Sequence, residues 1–269
     1  MQYEPIKRSL GRLFKDKPFF RIFFYKLLDI LLLRAWYVKR ELKIIKKLIG
    51  KNSSILDAGS GFGQYTYFLS TLSKESSITG IDIEEEQIQD CNKFIHKIGY
   101  AERIKFSKAD IIQFVKPDEY NLIISVDVME HITDDVQVFK NFYQSLKPGG
   151  ILLISTPSDQ GGSDVHDDNE KSFIAEHVRD GYNIGDIQEK LKTAGFSNII
   201  TKYSYGIPGQ ISWKLSMKFP ITLLNFSKLF FIILPFYYLI SFPFCLLLNY
   251  FDLIIKHKRG TGLIVRATK

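Results

Sequence analysis

The spacing of apolar residues along the chain changes character near residue 53. Before it, Phe19, Phe20, Ile22, Phe23, Phe24, Leu27, Leu28 and the run 30–33 crowd one stretch, which continues through Trp36, Leu42, Ile45 and Leu48 to Gly50. Arg21, Lys26, Asp29 and Arg34 interrupt that stretch. The pattern predicts a basic, aromatic helical extension over 1–50 and argues against a membrane-spanning helix there. From Ser53 onward, short apolar runs bounded by turn residues alternate with amphipathic stretches. Buried strands are predicted at 54–58, 77–82, 103–107, 120–125, 151–155, 198–205 and 262–267. Helices are predicted at 62–72, 84–98, 134–146 and 184–194. The second of these opens on acidic residues that suit its dipole, and Lys147-Pro148-Gly149-Gly150 stops the third. A polar loop with room for one short helix fills 156–182. An apolar stretch, 206–260, separates the last two strands.

Strands alternating with helices imply an α/β fold, a mostly parallel sheet covered on both faces. The domain reading is an N-terminal extension (1–50), a core formed by 51–205 and 261–269, and a hydrophobic helical insertion (206–260). With 269 residues, 45% of them apolar and 24% charged, general disorder is excluded. The formal charge of +7 is unevenly placed: residues 1–50 and 206–260 are strongly basic, while 51–205 is acidic. Basic segments seek phosphate, on nucleic acid or on anionic lipid. Cys91 and Cys245 stand far apart with no metal-ligand spacing, which fits a reducing, cytoplasmic setting. The N-terminus shows no signal-peptide pattern.

The strongest chemical signal is Asp57-Ala58-Gly59-Ser60-Gly61-Phe62-Gly63, directly after a strand and opening a helix. Glycines let backbone turn sharply and approach a ligand, and the helix start offers free N–H groups. Asp82 closes the second strand, where a carboxylate can accept hydrogen bonds from ribose hydroxyls. A dinucleotide fingerprint wants G-x-G-x-x-G, but Gln64 stands at its third position and the glycine comes one earlier at Gly63. That disfavours a pyrophosphate, and the acidic Asp57 before the loop suits an ammonium.

On these motifs the sequence resembles the class I S-adenosylmethionine-dependent methyltransferases, in particular the small-molecule branch that includes ubiquinone-pathway O-methyltransferases. The resemblance covers about 53–205 and the last strand. It implies a Rossmann-like, seven-stranded sheet with the final strand antiparallel, and S-adenosyl-L-methionine as cofactor. Asp57, Gly59, Ser60, Gly61 and Gly63 resemble the loop around the cofactor's methionine part. Asp82 resembles the ribose-binding acid and Ile83 the residue on the adenine face, with Gln87 following. Asp110 and Ile111 resemble the pair at the adenine edge, and the segment from Ser125 through Val126 to His131 resembles the one that closes over the cofactor. Lys147-Pro148-Gly149-Gly150 resembles the turn into strand five.

Methyl transfer from a sulfonium is mostly a matter of alignment, but an acceptor hydroxyl benefits from a base. His131, just past strand four, and His177, before the helix at 184, are the candidates, each weighed against an ordinary structural histidine. His166 among Asp164, Asp167 and Asp168 reads as a solvated acidic loop, and no metal is assigned.

Residues 229–248 run without a charge, a length that could span a bilayer. Strands six and seven belong to one sheet, however, so a single crossing is topologically barred. Pro235 and Pro243 should break the run, giving bent or paired helices in the membrane interface. Lys214, Lys218, Lys228, Lys256, Lys258 and Arg259 bracket it, as in peripheral anchors. The combined expectation is methyl transfer to an oxygen of a lipid, quinone-like or lipid-linked acceptor, on the inner face of a membrane. A soluble helical cap or dimer face, a nucleic-acid methyltransferase, a non-catalytic membrane adaptor and a nicotinamide oxidoreductase remain as alternatives. The flanking bases interleave with Phe, Leu and Ile, so no nucleic-acid partner is assigned.

Overall fold

The computed structural model describes residues 17–161 and 178–269. Seven strands form one sheet: β1 (Ser54–Ala58), β2 (Ser77–Asp82), β3 (Ile104–Lys108), β4 (Tyr120–Val126), β5 (Leu146–Pro157), β6 (Ser197–Ser204) and β7 (Gly262–Thr268). Their spatial order is β3-β2-β1-β4-β5-β7-β6. The pairs among β1 to β5 are parallel, and β7 runs antiparallel to both β5 and β6. Strand order reverses between β1 and β4, and in such sheets ligands bind beyond the carboxyl ends at that point. The Rossmann-like architecture expected from the sequence is the observed one.

Successive side chains of a strand point to opposite faces, and here both faces are dry. Ile55, Ile78, Leu122, Ile124 and Leu153 belong to one buried cluster. Leu56, Ile123, Leu152 and Ile154 belong to the other. The first face is covered by α1 (Pro18–Leu31), α2 (Leu33–Ile49), α3 (Gln64–Leu72) and α4 (Glu85–Lys97), and the second by α5 (Asp135–Ser145) and α6 (Ile184–Thr193).

The N-terminal extension is two helices within the described residues. Leu32 between them is extended (φ −96°, ψ 109°), which turns the chain. β5 begins at Leu146 rather than 151: Leu146 already pairs with Tyr120, and the Pro-Gly-Gly turn, with Gly149 at φ 75°, is carried within the strand as an irregularity. It is held by hydrogen bonds from Gly149 N to Lys269 O and from Lys269 N to Gly150 O, with a register shift opposite Tyr120–Leu122.

The insertion comprises α7 (Ile207–Trp213), a π turn (Lys214–Lys218), α8 (Phe219–Phe226), a 3-10 turn (Lys228–Ile232) and α9 (Leu234–Ile254). The run breaks at Pro235, which opens α9 after the 3-10 turn, but not at Pro243. Pro235 sits in the first turn of α9, where its missing N–H costs nothing, and Pro243 lies inside a helix that runs on through it. The carbonyl that Pro243 deprives of a donor belongs to Leu239, a residue 75% exposed. The helices are paired: Ser212 bonds Cys245 O, and the Tyr237 and Tyr238 hydroxyls donate to Leu215 O and Ser216 O, a contact order that makes the pair antiparallel. Buried Asp252 ties the pair to the rest, accepting from the Tyr37 hydroxyl of α2 at 2.7 Å and from Gly209 N at 2.8 Å, with His257 at 3.3 Å.

Candidate active site

The glycine loop closes over the end of β2. Gly59 N and Ser60 N both donate to Ile81 O at 2.9 Å, and Gly61 N donates to the Asp82 carboxylate at 2.8 Å. Gly59, Gly61 and Gly63 all have positive φ (80°, 50° and 81°), so the turn requires residues that enter the left-handed region freely. A side chain at Gly59 would also collide with Val128, whose nearest methyl lies 2.2 Å from the site of the missing Cβ. The loop therefore sits directly against the segment after β4.

Asp57 lies beneath the loop, 2% exposed, its carboxylate accepting from the Thr66 hydroxyl at 2.6 Å. Burial, opposed by Thr66 and reinforced by the charge of Asp82, pushes its pKa up to about 7. A buried carboxyl in that condition is one that a cation would stabilise. Asp82 spends its other oxygen on Glu84 N at 3.1 Å. Ile83 next to it is 65% exposed, a large apolar side chain at the lip of the crevice. Gln87 Oε1 comes 3.6 Å from the position a Gly61 Cβ would take. The 109–111 segment joins through Ala109 N to Asp82 O at 3.0 Å; Asp110 is exposed and caps Ile112 N, while Ile111 is buried. Val126 ends β4, and Asp127 N bonds Ser155 O across to β5. The sequence-predicted residues of the crevice thus stand on neighbouring carboxyl ends of β1, β2, β3 and β4.

His131 ends a 3-10 turn (Met129–His131) on the same edge and is half-buried. Glu130 beside it is 1% exposed and accepts from the Thr156 hydroxyl at 3.1 Å. His177 and the cluster around His166 lie outside the described residues. Arg179, two residues beyond His177, is committed to the scaffold. It pairs with buried Asp135, which also accepts from Tyr182 at 2.7 Å and Lys190 at 2.9 Å. Burial alone would raise the Asp135 pKa, but those hydrogen bonds and the Arg179 charge hold it below the ordinary carboxylate value.

Sequence reasoning treated Arg21, Asp29 and Arg34 only as interruptions of an apolar stretch. They are latches. Arg21, 7% exposed, donates to Phe62 O in the glycine loop at 2.7 Å and to Asp90 at 2.6 Å, and the Tyr25 hydroxyl meets the same carbonyl. Asp29 accepts from Gln64 Nε2 at 2.8 Å and pairs with Lys39. Arg34 pairs with Asp127, a non-glycine residue at φ 53°. The signal was present: Arg21, Tyr25 and Asp29 recur every four residues, one face of a helix.

The family model of the methyltransferase domain matches residues 49–200, more than half of the chain and all of the crevice just described. The chain belongs to this family of S-adenosylmethionine-dependent methyltransferases. Among relatives of the methyltransferase, phosphoethanolamine N-methyltransferase 1 of Zea mays is 28% identical over 165 residues, 60% of this chain and 31% of that protein. The chain spans about a third of the length of the curated relatives it matches first. In structure, Haemonchus contortus phosphoethanolamine N-methyltransferase 2, solved with S-adenosyl-L-methionine, superposes with a TM-score of 0.60 at 21% identity, covering 85% of this chain and 52% of that one. The [4+2]-cyclase SpnF superposes with a TM-score of 0.57 at 17% identity, over 86% of this chain and 80% of its own. The methyltransferase fold therefore carries more than one chemistry, and the acceptor must be argued from the site.

The residues present fit the cofactor. The loop is stripped of Cβ atoms where backbone must come close, the buried carboxyl of Asp57 has no cation beside it among the described residues, and the exposed apolar side chain of Ile83 flanks Asp82.

Proposed function

We propose that this methyltransferase transfers a methyl group to an oxygen of a lipid, quinone-like or lipid-linked acceptor at a membrane surface. The observation that carries the cofactor half is the hydrogen bond from Gly61 N to Asp82, which fastens the glycine loop to the acid beside it over the buried Asp57. Asp57, Gly59, Ser60, Gly61 and Gly63 would hold the methionine end, Asp82 and Gln87 the ribose, and Ile83, Asp110, Ile111 and Val126 the adenine. When bound, the cofactor supplies a methyl group activated on a sulfonium. The protein aligns the acceptor with it and excludes water, and the arm of α1 and α2 latched across both lips of the crevice serves that exclusion. His131 takes the proton from the acceptor hydroxyl, with His177 as the other candidate base.

The membrane half rests on α9. Phe236, Leu239, Ile240, Phe244, Leu247, Phe251 and Ile254 are all at least 43% exposed and fall at helical spacing on one face. The helix is long and apolar enough to cross a membrane by length and composition, yet the insertion that holds it leaves the sheet after β6 and returns to it at β7. A second apolar stripe, Phe19, Phe23, Leu27 and Ile30, is exposed on α1. Soluble surfaces seldom leave such stripes bare, and Lys214, Lys218, Lys256, Lys258 and Arg259 flank them as at an interfacial anchor. The insertion, 206–260, is accordingly the membrane-facing unit and 51–205 with 261–269 the catalytic one.

A second reading, N-methylation of a small amine, is favoured by the names of the similar phosphoethanolamine N-methyltransferases. Mass spectrometry of extracts from cells with and without the gene separates the two. A lipid-phase compound differing by one methylene supports the first reading, whereas a change confined to the aqueous phase supports the second.

A further inference from the structure

Helix α1 is apolar on two faces. Phe24, Tyr25 and Leu28 are buried against the body of the protein, together with Arg21. Phe19, Phe23, Leu27 and Ile30 are all at least 40% exposed, and Lys26 is exposed beside them. At about 100° per residue, the two sets centre on opposite sides of the helix. The inner side does more than fill space. Arg21 and the Tyr25 hydroxyl both donate to Phe62 O in the glycine loop, and Asp29 accepts from Gln64, the residue after that loop. One helix thus carries the loop's fastenings on one face and a bare apolar stripe on the other.

Little within α1 secures it. It has 14 residues, no side-chain cap at Lys17, no acidic residue in its first turn and no basic residue in its last. A helix of that length is marginal in water by itself, so its order comes from what covers it. The core covers one face. The other fits an anionic lipid surface, to which Lys26 offers a positive charge beside the stripe. The arm also belongs to the same body as the larger exposed stripe of α9: the Tyr37 hydroxyl of α2 bonds Asp252, and Arg40 bonds Leu253 O. The latches and the stripe require the same helical register, so whichever contact forms first orders the helix for the other.

We propose that α1 couples lipid to cofactor: seating its outer stripe in an anionic bilayer orders the helix, firms its hold on Phe62 and Gln64, and tightens binding of S-adenosylmethionine in the loop. By linkage, bound cofactor tightens the grip on lipid by the same factor. The proposal rests on the membrane reading above and makes that surface a regulator of the cofactor site as well as an anchor.

The test is equilibrium dialysis of methyl-tritiated S-adenosylmethionine against the full chain, with and without vesicles of phosphatidylcholine and phosphatidylglycerol. Binding to vesicles alone is subtracted, and flotation is run on the same samples. Expected is an affinity about five- to tenfold higher on vesicles, the lower end of ordinary coupling between sites, with vesicle affinity raised by the same factor at saturating cofactor. Phe23→Gln combined with Leu27→Gln keeps good helix formers and leaves the latches in place. The double variant should match the unsubstituted chain without vesicles, which certifies its fold, and lose the rise at lipid concentrations that float it through α9. An affinity unchanged on vesicles that float the protein overturns the proposal, as does a rise kept in full by the double variant. A chain that binds cofactor but never floats overturns the membrane reading and the proposal with it. A chain that floats but binds no cofactor overturns the assignment of the crevice instead. Cofactor affinity that climbs with protein concentration in the absence of vesicles gives the stripe to a second copy of the chain and overturns lipid as its occupant.

Discussion

Asp57 gives the most quantitative handle on the cofactor site. Its carboxyl is buried under the glycine loop with a pKa near 7, against 3.8 for the free group. If the carboxylate form receives the cofactor's ammonium, affinity must follow its ionisation. A group of pKa 7 is about 70% ionised at pH 7.4 and about 9% at pH 6, so affinity should fall by about eightfold, ~1.2 kcal/mol, over that interval. The window stops at 7.4 because an α-amino group itself titrates at about 7.7–8.0. Calorimetric titrations at pH 6.0, 6.7 and 7.4, in buffers of different ionisation enthalpy, should show that slope and close to one proton released per cofactor at pH 6. Asp57→Asn should bind weakly and without a slope over the same interval. The same shift has a consequence for stability. A carboxyl whose folded pKa lies above its unfolded value favours the folded state below about pH 4, and that advantage is lost as pH rises toward 7. The ionised group then costs at most about 4 kcal/mol at pH 7.4. Asp57→Asn should therefore melt higher than the cofactor-free parent at pH 7.4, while losing binding, a trade of stability against function. Equal cofactor affinity at pH 6.0 and 7.4 in the unsubstituted protein would refute the assignment of Asp57 to the ammonium.

Further outcomes follow from the same geometry. Asp82→Ala should abolish cofactor binding by calorimetry, since it removes both the proposed ribose acceptor and the bond that shapes Gly61. His131→Ala should leave that affinity intact and slow turnover by about 10²–10⁴-fold, the range of a lost general base. Arg21→Ala unpairs Asp90 and leaves Phe62 O with the Tyr25 hydroxyl alone, so it should cost about 3 kcal/mol and lower Tm by roughly 6–12 °C, with weaker cofactor binding as a second readout. Leu239→Glu and Ile240→Glu, on side chains 75% and 80% exposed, should leave Tm nearly unchanged yet release the protein from anionic vesicles in a flotation assay.

The sheet was legible because its strands are short apolar runs punctuated by glycine, as at Ser54–Ala58 before Gly59. The cofactor crevice was legible because one loop and a few acids carry it at fixed places in a βαβ frame. The latches were not, because Arg21 finds Asp90 and Phe62 across distances in sequence that no local period reports. The continuous α9 was hidden by Pro243, read as a breaker where the helix has an exposed carbonyl to leave unpaired.

On the proposed function, one crevice at the carboxyl edge of the sheet passes a methyl group to a lipid-phase acceptor. The most direct test incubates the full chain with methyl-tritiated S-adenosylmethionine and membranes from its own cells, then partitions the products. Label is expected in the organic phase, absent with Asp82→Ala. Label in neither phase contradicts it, and label confined to the aqueous phase contradicts the lipid acceptor.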